Sequence, residues 1–172
     1  MKRAGERSAG YTLIEVVAVI LVAGILAGSA ASGVSRISSL KEEAALSTVV
    51  AHVRYLQGLA LARNLRTWVS FDVAANSLRG YVEDPDHPGI AGRVAVQDPI
   101  SHRDLVVDLD VGFGGGVRIS AVSFDGGNEI SFDGFGSPLE REGGDLDAEG
   151  TVTFAKGPGL AVSPGTGYAS IR

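Results

Sequence analysis

Directly after a glutamate at position 15, the chain runs from Val16 to Ser35 without a single charge. A stretch of about 20 such residues is long enough to cross a bilayer as a helix. Ahead of it, residues 1–10 form a polar leader in which Lys2, Arg3 and Arg7 outweigh Glu6. Positive residues before an apolar span hold that end in the cytoplasm, so the remainder of the chain is expected to be exported. An ordinary signal peptide would be cut after the apolar run, where Ser29-Ala30-Ala31 supplies small residues. An uncut anchor would only tether the rest of the chain. Neither accounts for Glu15, since a carboxylate within a membrane helix costs about 2.5–3.5 kcal/mol at the centre and such residues usually have a partner.

Taken together, Gly10-Tyr11-Thr12-Leu13-Ile14-Glu15-Val16 and the apolar run resemble the type III signal of the type IV pilin family. The resemblance implies that a prepilin peptidase cuts between Gly10 and Tyr11, that the apolar segment is retained, and that the new amino group of Tyr11 is methylated. Tyrosine is less usual there than phenylalanine or methionine. Glu15 becomes the fifth residue of the mature chain. In the family that carboxylate is thought to neutralise the amine of a neighbouring subunit, and a buried charge that needs a partner charge makes a register mark for assembly.

Beyond position 35 the chain must make its own core. It has 172 residues, no cysteine and a net charge of −5. The missing cysteines exclude a disulfide scaffold and any Cys-ligated metal. The negative balance argues against nucleic acid as a partner. Twenty-four glycines against six prolines, spread between strand-like runs, suggest a turn-rich β region.

From Lys41 to Arg66 the pattern is amphipathic. Leu46, Val49, Val50, Val53, Leu56 and Ala60 fall three and four apart and share one helix face. One helix from Thr12 to Arg66 would reach about 80 Å. After Arg66 the period moves toward two. Thr67–Asp72 and Leu78–Val82 read as paired strands across Ala74-Ala75-Asn76-Ser77, and Asp84–Gly92 as a polar loop. Further strands are expected at Arg93–Gln97, Leu105–Leu109, Val117–Phe124, Glu129–Phe132, Thr151–Phe154, Leu160–Ser163 and Tyr168–Ile171. The class is α+β: a long N-terminal helix packed on an antiparallel sheet or sandwich. The division expected is a leader at 1–10, a transmembrane assembly helix at 11–35, an amphipathic helix at 36–66 and a β-rich body at 67–172.

Two later segments, Ile130–Pro138 and Leu160–Gly167, and the pair Ala62-Arg63 ahead of a strand, look like features of the H-type minor pseudopilins of type II secretion. The same branch contains minor type IV pilins, some of which capture DNA through a basic C-terminal motif. After Gly167 this chain has Tyr168-Ala169-Ser170-Ile171-Arg172, and one arginine is not a phosphate-binding patch.

No candidate catalytic residue emerges. His52, His87 and His102 are far apart and form no His-x-x-x-His pair. His52 is expected to be partly buried on the docking helix. Asp145-Leu146-Asp147-Ala148-Glu149-Gly150 opens like a calcium loop, but Lys156 stands where the closing glutamate belongs, so a solvated acidic turn is the better reading. Asp108 and Asp110 flank Leu109 in strand alternation, and Gly112–Gly116 reads as a hairpin turn. No enzyme, cofactor or metal is expected. The implied partners are the prepilin peptidase, other pseudopilins or pilins, the inner membrane and secreted protein substrates. A minor type IV pilin is the nearest alternative, and an exported ligand-binding or enzymatic β domain the next.

Overall fold

The computed structural model describes residues 13–114 and 116–172, with side chains in the long helix described at 13–25 and 40–63. The architecture is α+β, an N-terminal helix followed by antiparallel sheets, consistent with a pilin-like fold. Helix α1 spans Leu13–Arg63. The chain divides into two compact units, Met1–Ser38 and Ser39–Arg172.

Within the second unit, α1 ends where its sequence supplies a stop. Asn64 takes the left-handed conformation (φ 50°), and the Leu65 amide reaches back to the Ala60 carbonyl at 3.3 Å. That six-to-one bond is the Schellman closure, with asparagine in the place glycine usually holds. Arg63 in the last turn complements the negative end of the helix dipole.

Strands β1 (Thr67–Asp72), β2 (Ser77–Val82), β3 (Val94–Ala95), β4 (Val106–Asp108), β6 (Glu129–Phe132) and β7 (Pro138–Glu140) form one sheet in the order β3-β2-β1-β6-β7. β3 and β4 share the outer edge of β2, β4 pairing at Ser77–Arg79 and β3 at Tyr81–Val82. Strands β5 (Ile119–Ser123), β8 (Gly150–Phe154), β9 (Leu160–Val162) and β10 (Ala169–Ile171) form the second, in the order β10-β9-β8-β5.

All six residues of the amphipathic face, Leu46, Val49, Val50, Val53, Leu56 and Ala60, are buried. They share one core with Val69, Phe71 and Ile130 of the first sheet and with Ile119, Val152 and Val162 of the second. Each fully buried side chain of this size contributes about 1.5–3 kcal/mol. Gly80 sets how closely helix and sheet approach: a Cβ there would lie 2.9 Å from methyls of both Leu56 and Leu105. Thr67 fixes the same contact by donating its hydroxyl proton to the Leu56 carbonyl at 3.0 Å.

Three sequence expectations are corrected. Leu109 does not end a strand; it opens a short helix, α2 (Leu109–Phe113). Asp108 therefore does not alternate with Asp110 but caps the helix, its Oδ1 accepting from the amides of Asp110 and Val111. Gly112 and Gly114 are not hairpin residues: Gly112 lies within α2, and Gly114 (φ 70°) closes it through its amide to the Asp110 carbonyl. β7 went unanticipated because Pro138-Leu139-Glu140 carries no alternation of its own; it becomes a strand only by pairing with β6.

Candidate assembly site

The first described turns of α1 are apolar on every side. From Leu13 to Ile25 each large apolar side chain is exposed, Leu13 at 84% and the least exposed, Val16, at 48%. Because consecutive positions are involved, no polar face exists to turn toward water. A helix hydrophobic all round is stable only when buried, in lipid or among other helices. Glu15, the one acid here, lies in the first turn of α1, where a negative charge is favoured by the helix dipole.

Residues 6–31 match the family model of the prokaryotic N-terminal methylation motif. This is the type IV pilin-like signal, and it covers the second half of the leader and most of the apolar run. It supports a type IV pilin- or pseudopilin-type protein, implies processing by a prepilin peptidase and assembly with pilin-like subunits, and suggests membrane anchoring. No curated protein and no solved structure matches the chain. Gly10 and Tyr11, the expected cleavage and methylation positions, lie outside the described residues. Among the described residues no helix is long and apolar enough to cross a membrane, and the span expected over 11–35 falls partly outside them.

In the body, the two segments singled out by their resemblance meet on α1. Gln57 donates to the carbonyls of Gly136 (2.9 Å) and Thr166 (3.0 Å). Gly167 (φ 66°) fits between them with no room for a side chain, since a Cβ would stand 3.0 Å from the Phe132 ring and 3.1 Å from the Gly136 carbonyl. Gly167 is therefore a packing requirement, and Gly136 (φ 78°), whose Cβ would stand 3.1 Å from Leu61, a conformational one; the sequence alone presents both only as turn residues.

His52 is half-buried, and its Nδ1 lies 2.7 Å from the Thr48 carbonyl one turn earlier. A carbonyl only accepts, so Nδ1 carries the proton. His87 is exposed and paired with Asp84 at 3.0 Å. That hydrogen bond, with the Asp86 amide, holds the Asp84 carboxyl below its usual range. His102 sits in left-handed backbone (φ 54°) at the turn between β3 and β4. The acidic segment Asp145–Gly150 is an irregular run that bridges Leu139 at Asp145 and enters β8 at Gly150. Leu146 anchors it in the core, the Asp147 amide donates to Asp125, and Glu149 pairs with Arg172.

Two polar features were not anticipated. Glu129, only 6% exposed, takes a two-pronged bond from Arg93 (3.0 and 3.1 Å) and a third contact from Arg141 at 3.0 Å. Desolvation pushes its carboxyl up, and the bonds from Arg93 and Ser70 together with the two guanidinium charges outweigh that and hold it down. Asn76 is fully buried with every polar group satisfied: Nδ2 donates to Asp110 Oδ1 and the Val117 carbonyl, each at 2.8 Å, and Oδ1 accepts from the Ile119 amide at 2.9 Å. The readable hint is an asparagine in a turn, a residue that tolerates the left-handed region it adopts here at φ 49°.

Proposed function

We propose that this chain is a minor pseudopilin, a structural subunit of a type II secretion pseudopilus with no catalytic role. Prepilin peptidase cuts between Gly10 and Tyr11, and the amine of Tyr11 is methylated. The mature protein is held in the bacterial inner membrane by its N-terminal helix, with the body in the periplasm. Assembly draws that helix among those of other subunits, where Glu15 finds the N-terminal amine of a neighbour and sets the axial register. Burial of a side-chain set like Leu13–Ile25 contributes a large apolar term to association.

The observation that carries the reading is the methylation motif at residues 6–31, whose described part begins helix α1, apolar on all sides over Leu13–Ile25 apart from Glu15. The test is the N-terminal residue and mass of the protein from native membranes, with and without prepilin peptidase. A chain beginning at N-methylated Tyr11, and dependent on the peptidase, is expected. A chain beginning near Ser32, or an intact Met1, overturns the assembly mechanism. Loss of secreted substrates from the medium on deletion separates the secretion role from that of a type IV pilus.

A further inference from the structure

The outer edge of a sheet invites another strand unless something blunts it, and the body blunts its edges by different means. Beyond β7 the chain returns to bridge Leu139 with Asp145. On β10, Arg54 takes the Ala169 carbonyl. On β5, a register shift between Ile119 and Ala121 interrupts the ladder, and Asn76 takes the Ile119 amide. β4 runs directly into α2. Among the described residues, β3 has no such cover on the side away from β2.

What that side offers follows from register. The Val96 amide donates to the Gly80 carbonyl at 3.0 Å, and Val94 stands opposite Val82. Residues of an antiparallel strand bond alternately to one side and the other, so Ala95 turns its N–H and C=O away from β2. Side chains alternate too. Val82 and Val94 share one face, and a strand added beside β3 would send every second side chain to it. On that face lies a hollow of about 370 Å³ lined by Tyr55 and Arg63 of α1 and by Val82, Val94, Val96 and Gln97.

The hollow is selective. Its three valines suit an aliphatic stem, and its polar groups, the Arg63 guanidinium, the Tyr55 hydroxyl and the Gln97 amide, can all donate. Arg63 is exposed and pairs with no acid among the described residues. The carboxylates near either end of β3 already have donors. Glu83 accepts from the amides of Arg66 and Gly89, and Asp84 pairs with His87. Asp98 accepts from the amides of Ile100 and Ser101 and faces His52 across a separate hollow. An aliphatic stem that ends in a carboxylate is a glutamate side chain.

We infer that the β3 edge takes an extended segment of a different pilin-like subunit, with a glutamate of that segment reaching Arg63 in the hollow. Backbone bonds to Ala95 hold the added strand, and its inward side chain gives the specificity. The inference deepens the pseudopilin reading and rests on it: the N-terminal motif implies assembly with pilin-like subunits, and a minor subunit has unlike subunits for neighbours.

The test places the photo-crosslinker p-benzoylphenylalanine at exposed Ala91, just before β3, in the full chain in its native membranes. Irradiation should give an adduct with a pilin-like subunit other than this chain, and mass spectrometry should map the link beside a glutamate. Ala95→Pro removes the outward N–H and leaves the bonds to β2 in place. Arg63→Glu, at the exposed end of α1, reverses the charge in the hollow. Each should lower the adduct at least about tenfold. The N-terminal mass is read from the same sample. A correctly processed chain without the adduct overturns this contact and leaves the pseudopilin reading standing. So does an adduct indifferent to both substitutions, or one formed only with a second copy of this chain or with a secreted protein. An uncut chain without the adduct overturns both.

Discussion

The guanidinium of Arg54 closes on the backbone carbonyl of Ala169, with Nε at 3.1 Å and Nη2 at 2.7 Å. Tyr168 completes the grip, its ring 4.9 Å from the guanidinium carbon and its hydroxyl 3.1 Å from Nη2. Residues separated by more than a hundred positions are thereby joined. The contact ties the final strand to the helix and occupies a carbonyl on the outer edge of β10, which would otherwise invite pairing.

Arg54→Ala should lower stability by about 1–2 kcal/mol, the range for charge-assisted bonds discounted for partial exposure. Arg54→Lys should recover less than half, because one ammonium lacks the planar fork that reaches carbonyl and ring together. Urea unfolding of the two variants beside the parent measures both. Equal stability of Arg54→Ala and the parent would show the clamp to be incidental.

Asn76→Ala should cost more, about 3 kcal/mol. It strands the Ile119 amide and the Val117 carbonyl in the core, and it puts alanine at positive φ. Asn76→Asp should be no milder, since it keeps the acceptor but sets a second carboxylate against Asp110. A thermal midpoint within one degree of the parent for either variant contradicts the pinning role.

Glu129 gives a pH dependence of definite sign. Its folded pKa lies below the ordinary 4.5, so the folded state binds the proton less readily than the unfolded one. Its contribution is complete above that ordinary value and is lost as pH falls through the lower, folded one. Stability should therefore decline below about pH 4.5, and Glu129→Gln should flatten that decline. At neutral pH Glu129→Gln should be weaker by about 2 kcal/mol, having left Arg93 without its anion. Chemical denaturation at pH 7 and at steps down to pH 3 tests both parts, and parallel profiles for the two proteins would refute the assignment.

At the N-terminus two substitutions should separate cleavage from assembly. Gly10→Val should leave the chain uncut, because the proposed signal needs a glycine-sized residue before the cut and valine adds bulk there. Glu15→Leu should be cut normally yet fail to enter filaments. The mass of the membrane protein and its recovery in sheared filaments distinguish the two. Normal filament entry of Glu15→Leu would remove the register role from Glu15.

Local pattern made much of the molecule legible in the sequence. The unbroken apolar run and the motif around Glu15 stand in consecutive residues, and the helix face from Leu46 to Ala60 follows from three- and four-residue spacing. Most strands announced themselves by alternation and flanking turns. Even α2 was within reach: Asp108 as a cap and Gly114 as a stop are start and stop signals, overlooked because Val106-Val107-Asp108 leads in as a strand.

The sequence by itself therefore determined the class of the chain, its long helix and the charge that marks its start. Only the tertiary structure decided which distant residues meet. Pairing with β6 made a strand of Pro138–Glu140; burial made Asn76 a hub, Glu129 the anchor of two arginines, and Gly136 and Gly167 obligatory. The physical reason is that periodicity records which side of an element faces the core. The partner of a buried donor, and the space left beside an α-carbon, depend on elements that the chain brings together only when it folds.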